Sequence, residues 1–132
     1  MQIRVLGCSG GIGAGLRTTS LLIDDDILID CGSGAGDLTW EELGRIRHIF
    51  LTHGHLDHIT FIPFLVDSVF DVLVDKPITI HLQNETLRML REHVFNWQIW
   101  PDFAKLPDAA NPVIEYDVIA PGQQVTLKGR QL

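Results

Sequence analysis

Short apolar runs separated by glycine, aspartate and proline dominate the first two thirds of the chain. They are rich in isoleucine, leucine and valine, which is typical of short, half-buried or buried strands. Asp24, Asp25 and Asp26 separate the second and third runs, and aspartate favours a tight turn because its short side chain bonds nearby backbone groups. The predicted strands in this part of the chain are 2–7, 18–24, 27–32, 47–52 and 77–82.

Three segments have helical patterns. Residues 38–46 predict a short helix. The segment from Asp57 to about Leu73 is apolar nearly all round, which predicts one buried helix, and Pro63 lies early in it, where a missing N–H does least harm. Asn84 is expected to cap the next helix, because its side-chain oxygen can accept a hydrogen bond from a free N–H of the first turn. The apolar residues that share one face of that helix are Leu87, Leu90 and Val94.

Strands that occur both as hairpins and in alternation with helices predict a mixed sheet covered by helices, an α/β (α+β) fold. The length suits a single domain, residues 1–132. Segments 111–119 and 123–132 predict later strands or hairpin arms. The sequence ends just after 128–130, which suits a hairpin turn, and we expect no return strand after it. The end therefore looks like a truncation.

Composition and charge narrow the classes of function. The chain is 45% hydrophobic and 20% charged, with a net charge of −7 and no cluster of Lys and Arg that would form an extended nucleic-acid surface. No apolar run suits a membrane span or a signal peptide, so we expect a cytoplasmic protein without membrane contact. Cys8 and Cys31 are then expected to be small buried thiols and not a disulfide.

A cluster of metal-ligand residues follows the strand predicted over 47–52. His53 and His55 are two residues apart, so in an extended segment their side chains point the same way and can reach one ion. Asp57 and His58 follow where the chain turns into a helix, and they can hold a second ion nearby. Imidazole and carboxylate are the ligands that zinc and similar cations prefer, so the four residues predict a metal site.

Competing motifs are weaker. Three adjacent aspartates over 24–26 do not supply the alternating oxygen ligands or the closing glutamate of an EF-hand calcium loop. Ser9 lies in a G-x-S-x-G sequence, but the nucleophile elbow needs a helix directly after it, and residues 11–19 are a poor helix. The glycine-rich loop over 7–15 is better suited to lining the metal cleft.

The sequence "THGHLDH" resembles the H-x-H-x-D-H motif of the metallo-β-lactamase fold hydrolases. The strand pair "LLIDDDILIDCGSG" resembles the one that precedes the motif in that superfamily, with Asp30 at the acidic position. The segment "HVFNWQIWPDF" (93–103) is similar to the class II cyclic-nucleotide phosphodiesterases. One departure is Phe61, where relatives often have glycine, and this ring is expected to narrow the pocket mouth or to change packing alone.

The resemblance implies an αββα sandwich, of which this chain would be the N-terminal half, with two divalent ions. Zinc is the first expectation, with manganese or iron as alternatives. His53 and His55 would hold the first ion, and Asp57 and His58 the second. Asp57 would also orient a nucleophilic hydroxide, and Asp30 would orient a ligand histidine.

The family's remaining ligands, a histidine, a bridging aspartate and a last histidine, are expected after the end of this sequence. The other three histidines do not replace them on the family pattern and are expected to be structural: His48, His81 and His93. The ligands present would give at most two protein side chains per ion, so we expect the chain alone to be a poor catalyst. It is also expected to self-associate as a homo-oligomer or to belong to a longer polypeptide.

The function implied is hydrolysis of a small phosphodiester by a metal-bound hydroxide, with a 3′,5′-cyclic nucleotide as the first substrate. The alternatives within the superfamily are a tRNA 3′-processing endonuclease and a thioesterase. From another class, the alternative is an inactive metal-binding or interaction fragment.

Overall fold

A computed structural model describes residues 1–132 and shows a mixed sheet with a helical layer. The strands are β1 (Ile3–Gly7), β2 (Ser20–Ile23), β3 (Ile27–Ile29), β4 (His48–Phe50), β5 (Ile78–Leu82), β6 (Pro107–Asp108), β7 (Asn111–Pro112), β8 (Ile114–Val118), β9 (Thr126–Leu127) and β10 (Arg130–Gln131). The helices are α1 (Trp40–Leu43), α2 (Leu56–Ile59), α3 (Ile62–Ser68), α4 (Phe70–Asp75) and α5 (Asn84–His93), with short 3₁₀ turns at Ser33–Asp37 and Phe103–Lys105.

Six strands form the main sheet in the order β1-β2-β3-β4-β5-β8. The first three are antiparallel neighbours, whereas β3, β4, β5 and β8 run parallel. Parallel neighbours need crossover connections, and helices α1 to α5 lie in these connections. The five strands predicted in the first two thirds of the chain and the mixed sheet are therefore confirmed.

The two faces of the sheet are covered differently. One face packs against the helices in a core of 23 buried residues, which includes Leu28, Ile49 and Ile80 from three adjacent strands. On the opposite face, Ile23, Ile27 and Phe50 form a small cluster against the hairpin β9–β10. Successive side chains of a strand point to opposite faces, so His48 and Phe50 share this second face while Ile49 lies in the larger core.

The prediction of one helix from Asp57 to Leu73 is wrong, because the segment forms α2, α3 and α4. Pro63 occupies the first turn of α3 and cannot donate a backbone hydrogen bond to continue α2. The chain therefore stops one helix at Ile59 and starts another at Ile62. The apolar residues still face the core, since Ile59, Ile62 and Leu65 are buried.

Three smaller predictions are also wrong. The residue before α5 is Gln83, with no side-chain cap, and Asn84 is the first residue of the helix. A short return strand, β10, does follow the turn after β9. Arg130 and Lys128 hold it in place by binding the buried carboxylate of Asp26 in the turn between β2 and β3. Cys8 is exposed, whereas Cys31 is buried as expected.

Candidate metal centre

The histidine motif begins directly after β4, where the backbone is still tied to the sheet. The N–H of Leu51 donates to the carbonyl of His81 on β5, 2.9 Å away. The chain then leaves the sheet, and His55 is the extended residue that precedes α2. Asp57 and His58 lie in the first turn of that helix, so a strand end and a helix start together position all four predicted ligands.

The structure brings the three motif histidines together. The ring centroids of His53 and His55 are 4.5 Å apart, and those of His53 and His58 are 4.1 Å apart. His55 is exposed, whereas His53 and His58 are half-buried. The cluster therefore opens to solvent on the His55 side, as a site for a soluble substrate requires.

Asp30 is the buried residue that organises the cluster. It lies at the end of β3 with φ of 57°, a left-handed conformation that is uncommon for residues other than glycine. Its carboxylate accepts hydrogen bonds from the backbone N–H and the hydroxyl of Thr52, at 2.9 and 2.8 Å, and contacts Nδ1 of His58 at 2.8 Å. An ionised carboxylate only accepts, so His58 Nδ1 carries the proton and its Nε2 is left to bind a cation.

Asp57 lies on the free side of the His58 ring. Its Oδ2 is 3.4 Å from Nε2 of His58, and a third of its side chain is exposed. One carboxylate oxygen and one imidazole nitrogen therefore face the same small volume, as two ligands of one ion would.

Thr52 lies between Asp30 and two of the histidines, and the sequence motif does not identify it. Its hydroxyl is 3.0 Å from Nδ1 of His53 and 3.5 Å from Nδ1 of His58. The available signal is its position, one residue before the motif and just past the strand, where a hydroxyl can reach both the sheet and the loop. Thr52 thus links the buried carboxylate to the first histidine.

The donor set suits a divalent cation, because imidazole nitrogens and carboxylate oxygens are the ligands that zinc and its neighbours take. The Asp30–His58 contact is the arrangement in which a carboxylate fixes the ring of a metal-bound histidine. No three His, Cys, Asp or Glu side chains are placed around a common point at metal-binding distance. The chemistry of the residues therefore fits a metal ion, although the chain by itself does not form a closed three-ligand site.

Comparison with known proteins decides the family. Residues 34–123 match the family model described as cAMP phosphodiesterases class-II, which is more than half of the chain and includes the whole histidine motif. This chain belongs to the class-II cAMP phosphodiesterase family.

Curated relatives include cyclic-nucleotide phosphodiesterases and ribonucleases Z. A probable 3′,5′-cyclic-nucleotide phosphodiesterase of Yersinia pestis is 25% identical over 154 aligned positions, covering 96% of this chain and 43% of that protein. A ribonuclease Z of Methanococcus maripaludis is 33% identical over 101 positions, covering 71% of this chain and 32% of that protein. The chain thus spans less than half the length of these relatives.

Solved structures show the fold. Unliganded yeast PDE1 superposes with a TM-score of 0.75 at 19% identity, covering 96% of this chain and 52% of that one. The metallo-β-lactamase fold protein YhfI from Bacillus subtilis superposes with a TM-score of 0.63 at 20% identity, covering 96% of this chain and 48% of that one. The predicted metallo-β-lactamase-like fold is therefore confirmed, and this class-II phosphodiesterase family chain corresponds to about half of each neighbour.

The remaining histidines of this family member lie outside the motif cluster. His81 is buried, contacts Oδ2 of Asp117 through Nδ1 at 2.8 Å, and stacks on Phe50 with ring centroids 4.1 Å apart. His48 Nδ1 is 3.1 Å from His81 Nε2, and burial together with His81 lowers the pKa of His48. His93 is exposed at the end of α5. Structural roles for these residues stay a prediction, which the contacts of His48 and His81 support.

The glycine-rich loop after β1 lines a cavity of about 420 Å³ beside Phe61. The Phe61 ring fills the space next to Gly36, where a Cβ would lie 2.4 Å from its Cε1. Ser9 forms an isolated bridge with Thr18 and no helix follows it. The loop therefore forms a wall near the motif helix and not a nucleophile elbow.

None of the helices has the length and hydrophobicity that crossing a bilayer requires.

Proposed function

We propose that this chain carries the metal-binding histidine motif of an enzyme that hydrolyses a phosphodiester, with a 3′,5′-cyclic nucleotide as substrate. The observation that carries the proposal is the cluster of His53, His55 and His58, with His58 held by the Asp30 carboxylate, in a member of the class-II cAMP phosphodiesterase family. The activity is proposed for the whole protein, because this chain spans about half the length of its relatives.

His53 and His55 would hold one divalent ion, and Asp57 and His58 a second, with zinc as the first choice. Two such metal ions, when bound, would lower the pKa of the water bound to them and offset the charge that develops on phosphoryl oxygens. Asp30 holds Nδ1 of the His58 ring and leaves Nε2 facing Asp57, and Thr52 supports His53. These side chains are therefore assigned to positioning, and the four motif residues to binding.

Asp57 would also orient the attacking water, because its partly exposed carboxylate can accept a hydrogen bond from it. The water oxygen forms a bond to phosphorus while one P–O ester bond breaks, and the released oxygen takes up a proton. The products are one phosphate monoester and one hydroxyl, which are parts of the same mononucleotide when the substrate is cyclic.

A tRNA 3′-processing endonuclease is the second candidate, because the ribonuclease Z relatives are up to 33% identical in aligned regions. The net charge of −7 favours a small substrate over a long polyanion. The cytoplasmic location stays a prediction. So does the expectation that the chain forms a homo-oligomer or belongs to a longer polypeptide.

The test measures hydrolysis of cyclic AMP, of bis(p-nitrophenyl) phosphate and of a precursor tRNA by the whole protein that contains this chain, purified and supplied with zinc or manganese. We expect mononucleotide from cyclic AMP and p-nitrophenol from the chromogenic diester. Cleavage of the precursor tRNA without cleavage of cyclic AMP would favour the second candidate, and no cleavage of any diester would contradict the proposal.

A further inference from the structure

An open cavity of about 340 Å³ lies between the histidine motif and the first turns of α5. One wall is formed by residues 52–55, which include His53 and His55, and the other by four residues of the α5 region: Gln83, Glu85, Thr86 and Met89. Its volume is in the range of small-molecule sites. Since two of the proposed metal ligands form one wall, anything bound here would lie beside the reacting centre.

Thr86 is a buried polar residue that faces this cavity. The residue is only 5% exposed, and its hydroxyl makes no hydrogen bond within the chain. It is also not among the fully enclosed polar atoms without a partner, which are Trp100 Nε1 and Tyr116 Oη, so the hydroxyl reaches the open space of the cavity. A hydroxyl that has no partner within the chain and opens into this cavity is left to hydrogen-bond to water, and a ligand with a matching donor or acceptor can replace that water.

The remaining groups of the α5 wall suit a neutral ligand that carries hydrogen-bond donors. Gln83 precedes the helix without a side-chain capping bond, so its amide is free. Glu85 carries the one carboxylate of this wall, and no lysine or arginine lines the cavity. A carboxylate accepts from hydroxyl and amino groups and repels phosphate, so a phosphate is expected on the histidine side and not here.

Met89 joins the two walls of the cavity. A Cβ on Gly54, the residue between the first two motif histidines, would lie 2.8 Å from both Sδ and Cε of Met89. Glycine at this position therefore leaves room for the end of the Met89 side chain against the motif loop. The thioether also offers a polarizable apolar surface, which packs well against a planar ring.

We propose that this cavity holds the ribose and base of the cyclic nucleotide, with its phosphate toward His53 and His55 and with Thr86 Oγ1 hydrogen-bonded to the nucleoside. This assignment rests on the function proposed above. Glu85 would accept from a ribose hydroxyl or an exocyclic amine, and Met89 would contact the base. The larger cavity beside Ile12, Leu16 and Phe61 has none of the motif histidines in its lining, so it is the less favoured place for the nucleoside.

Binding is tested first with metal-free protein and cyclic AMP, by following backbone amide NMR shifts. We expect the largest shifts at residues 83–89 and 52–55. Shifts confined to residues 12–17 and 61 would place the nucleoside in the other cavity and overturn the proposal, as would no shift at any residue up to millimolar ligand.

Thr86→Val removes the hydroxyl and keeps the shape of the side chain. We expect about threefold to tenfold weaker binding of cyclic AMP, the loss of one hydrogen bond, with a melting temperature equal to or above that of the wild type. Thr126→Val, at an exposed threonine of β9, is the matched control and should change neither value. Gln83→Ala, at an exposed position, is the second variant and should also weaken binding. Unchanged binding in both cavity variants, or a loss that tracks a lower melting temperature, would overturn the proposal.

Kinetics separate this inference from the proposed function. Thr86→Val should raise KM for cyclic AMP and leave KM for bis(p-nitrophenyl) phosphate unchanged, because the latter has no nucleoside. Equal changes in KM for both substrates, or no change in either, would contradict the nucleoside site and leave the proposed hydrolase function standing. Failure of the wild type to hydrolyse either substrate would instead contradict the proposed function.

Discussion

At Asp30, one buried carboxylate fixes the sheet end, the hydroxyl of Thr52 and the ring of His58. A non-glycine residue with positive φ costs free energy, and such a conformation persists only where surrounding contacts hold it in place. The three hydrogen-bonded contacts of the Asp30 carboxylate hold this one. The chemistry of the motif thus depends on a residue 22 positions before Thr52 and 28 before His58.

In the whole protein, Asp57→Asn should lower turnover of bis(p-nitrophenyl) phosphate by about a hundredfold or more, which is the usual range for loss of a positioned acid–base group. An amide is a neutral and weaker ligand, and it cannot orient the water as a carboxylate does. The melting temperature should change little, because the side chain is partly exposed. Turnover close to that of the wild type would remove Asp57 from the proposed site.

The double substitution His53→Ala with His55→Ala should remove most of the zinc, manganese or iron that copurifies with the protein, as measured by elemental analysis. His93→Ala, at an exposed histidine outside the cluster, is the control and should retain the metal. Equal metal content in the wild type and the double variant would contradict the assignment of the ligands.

At the scale of elements, strands were easier to predict than the ends of helices. The runs 47–52 and 77–82 are short, apolar and bounded by turn residues, so their positions follow from local pattern. The break between α2 and α3 does not follow from the sequence pattern, because a segment that is apolar all round carries no periodicity. The pattern therefore does not distinguish Pro63 inside one helix from Pro63 at the start of another. Strand β10 was missed because the contact of Arg130 with Asp26 joins residues 104 positions apart.

Asp26 ties the C-terminal hairpin to the turn between β2 and β3. The hydrogen bond from Arg130, with help from Lys128, lowers the pKa of the buried Asp26 carboxyl from 3.8 to about 2. A carboxyl with a lowered pKa contributes stability that is present above pH 3.8 and lost as the pH falls through about 2.

Asp26→Asn should therefore lower the free energy of unfolding at pH 7 by about 2 kcal/mol, measured by urea denaturation. The difference from the wild type should shrink between pH 3.8 and about 2. Asp25→Asn, at the exposed neighbouring position, is the control and should be close to neutral. A pH-independent difference would show that packing, and not the ion pair, holds the hairpin.

At the scale of the whole molecule, the sequence predicts the family and the metal-binding motif but not the substrate preference. The motif over 53–58 was readable because its residue types and spacing are those of a metal site, whereas substrate preference depends on surfaces that form only on folding. The cavity beside α5 is one such surface, since Gln83 and Thr86 lie about 30 positions from the motif and show no pattern of their own.

The net charge of −7 leads to a prediction about substrate size. Without a basic surface, few counterions are released on binding a polyanion, so precursor tRNA should bind weakly and with little dependence on salt. Cyclic AMP should therefore be hydrolysed with a higher kcat/KM than precursor tRNA is cleaved, between 50 and 200 mM salt as a rough range. Tight, strongly salt-dependent tRNA binding would instead support the endonuclease.

Whether this motif serves metal-dependent phosphodiester hydrolysis is tested most directly by cyclic AMP turnover in the whole protein before chelation, after chelation and after metal is returned. We expect loss of turnover on removal of the metal and recovery as zinc or manganese is added back. We also expect no recovery in the His53→Ala, His55→Ala variant. Full turnover by the metal-free protein, or equal recovery in that variant, would contradict metal-dependent hydrolysis at this motif.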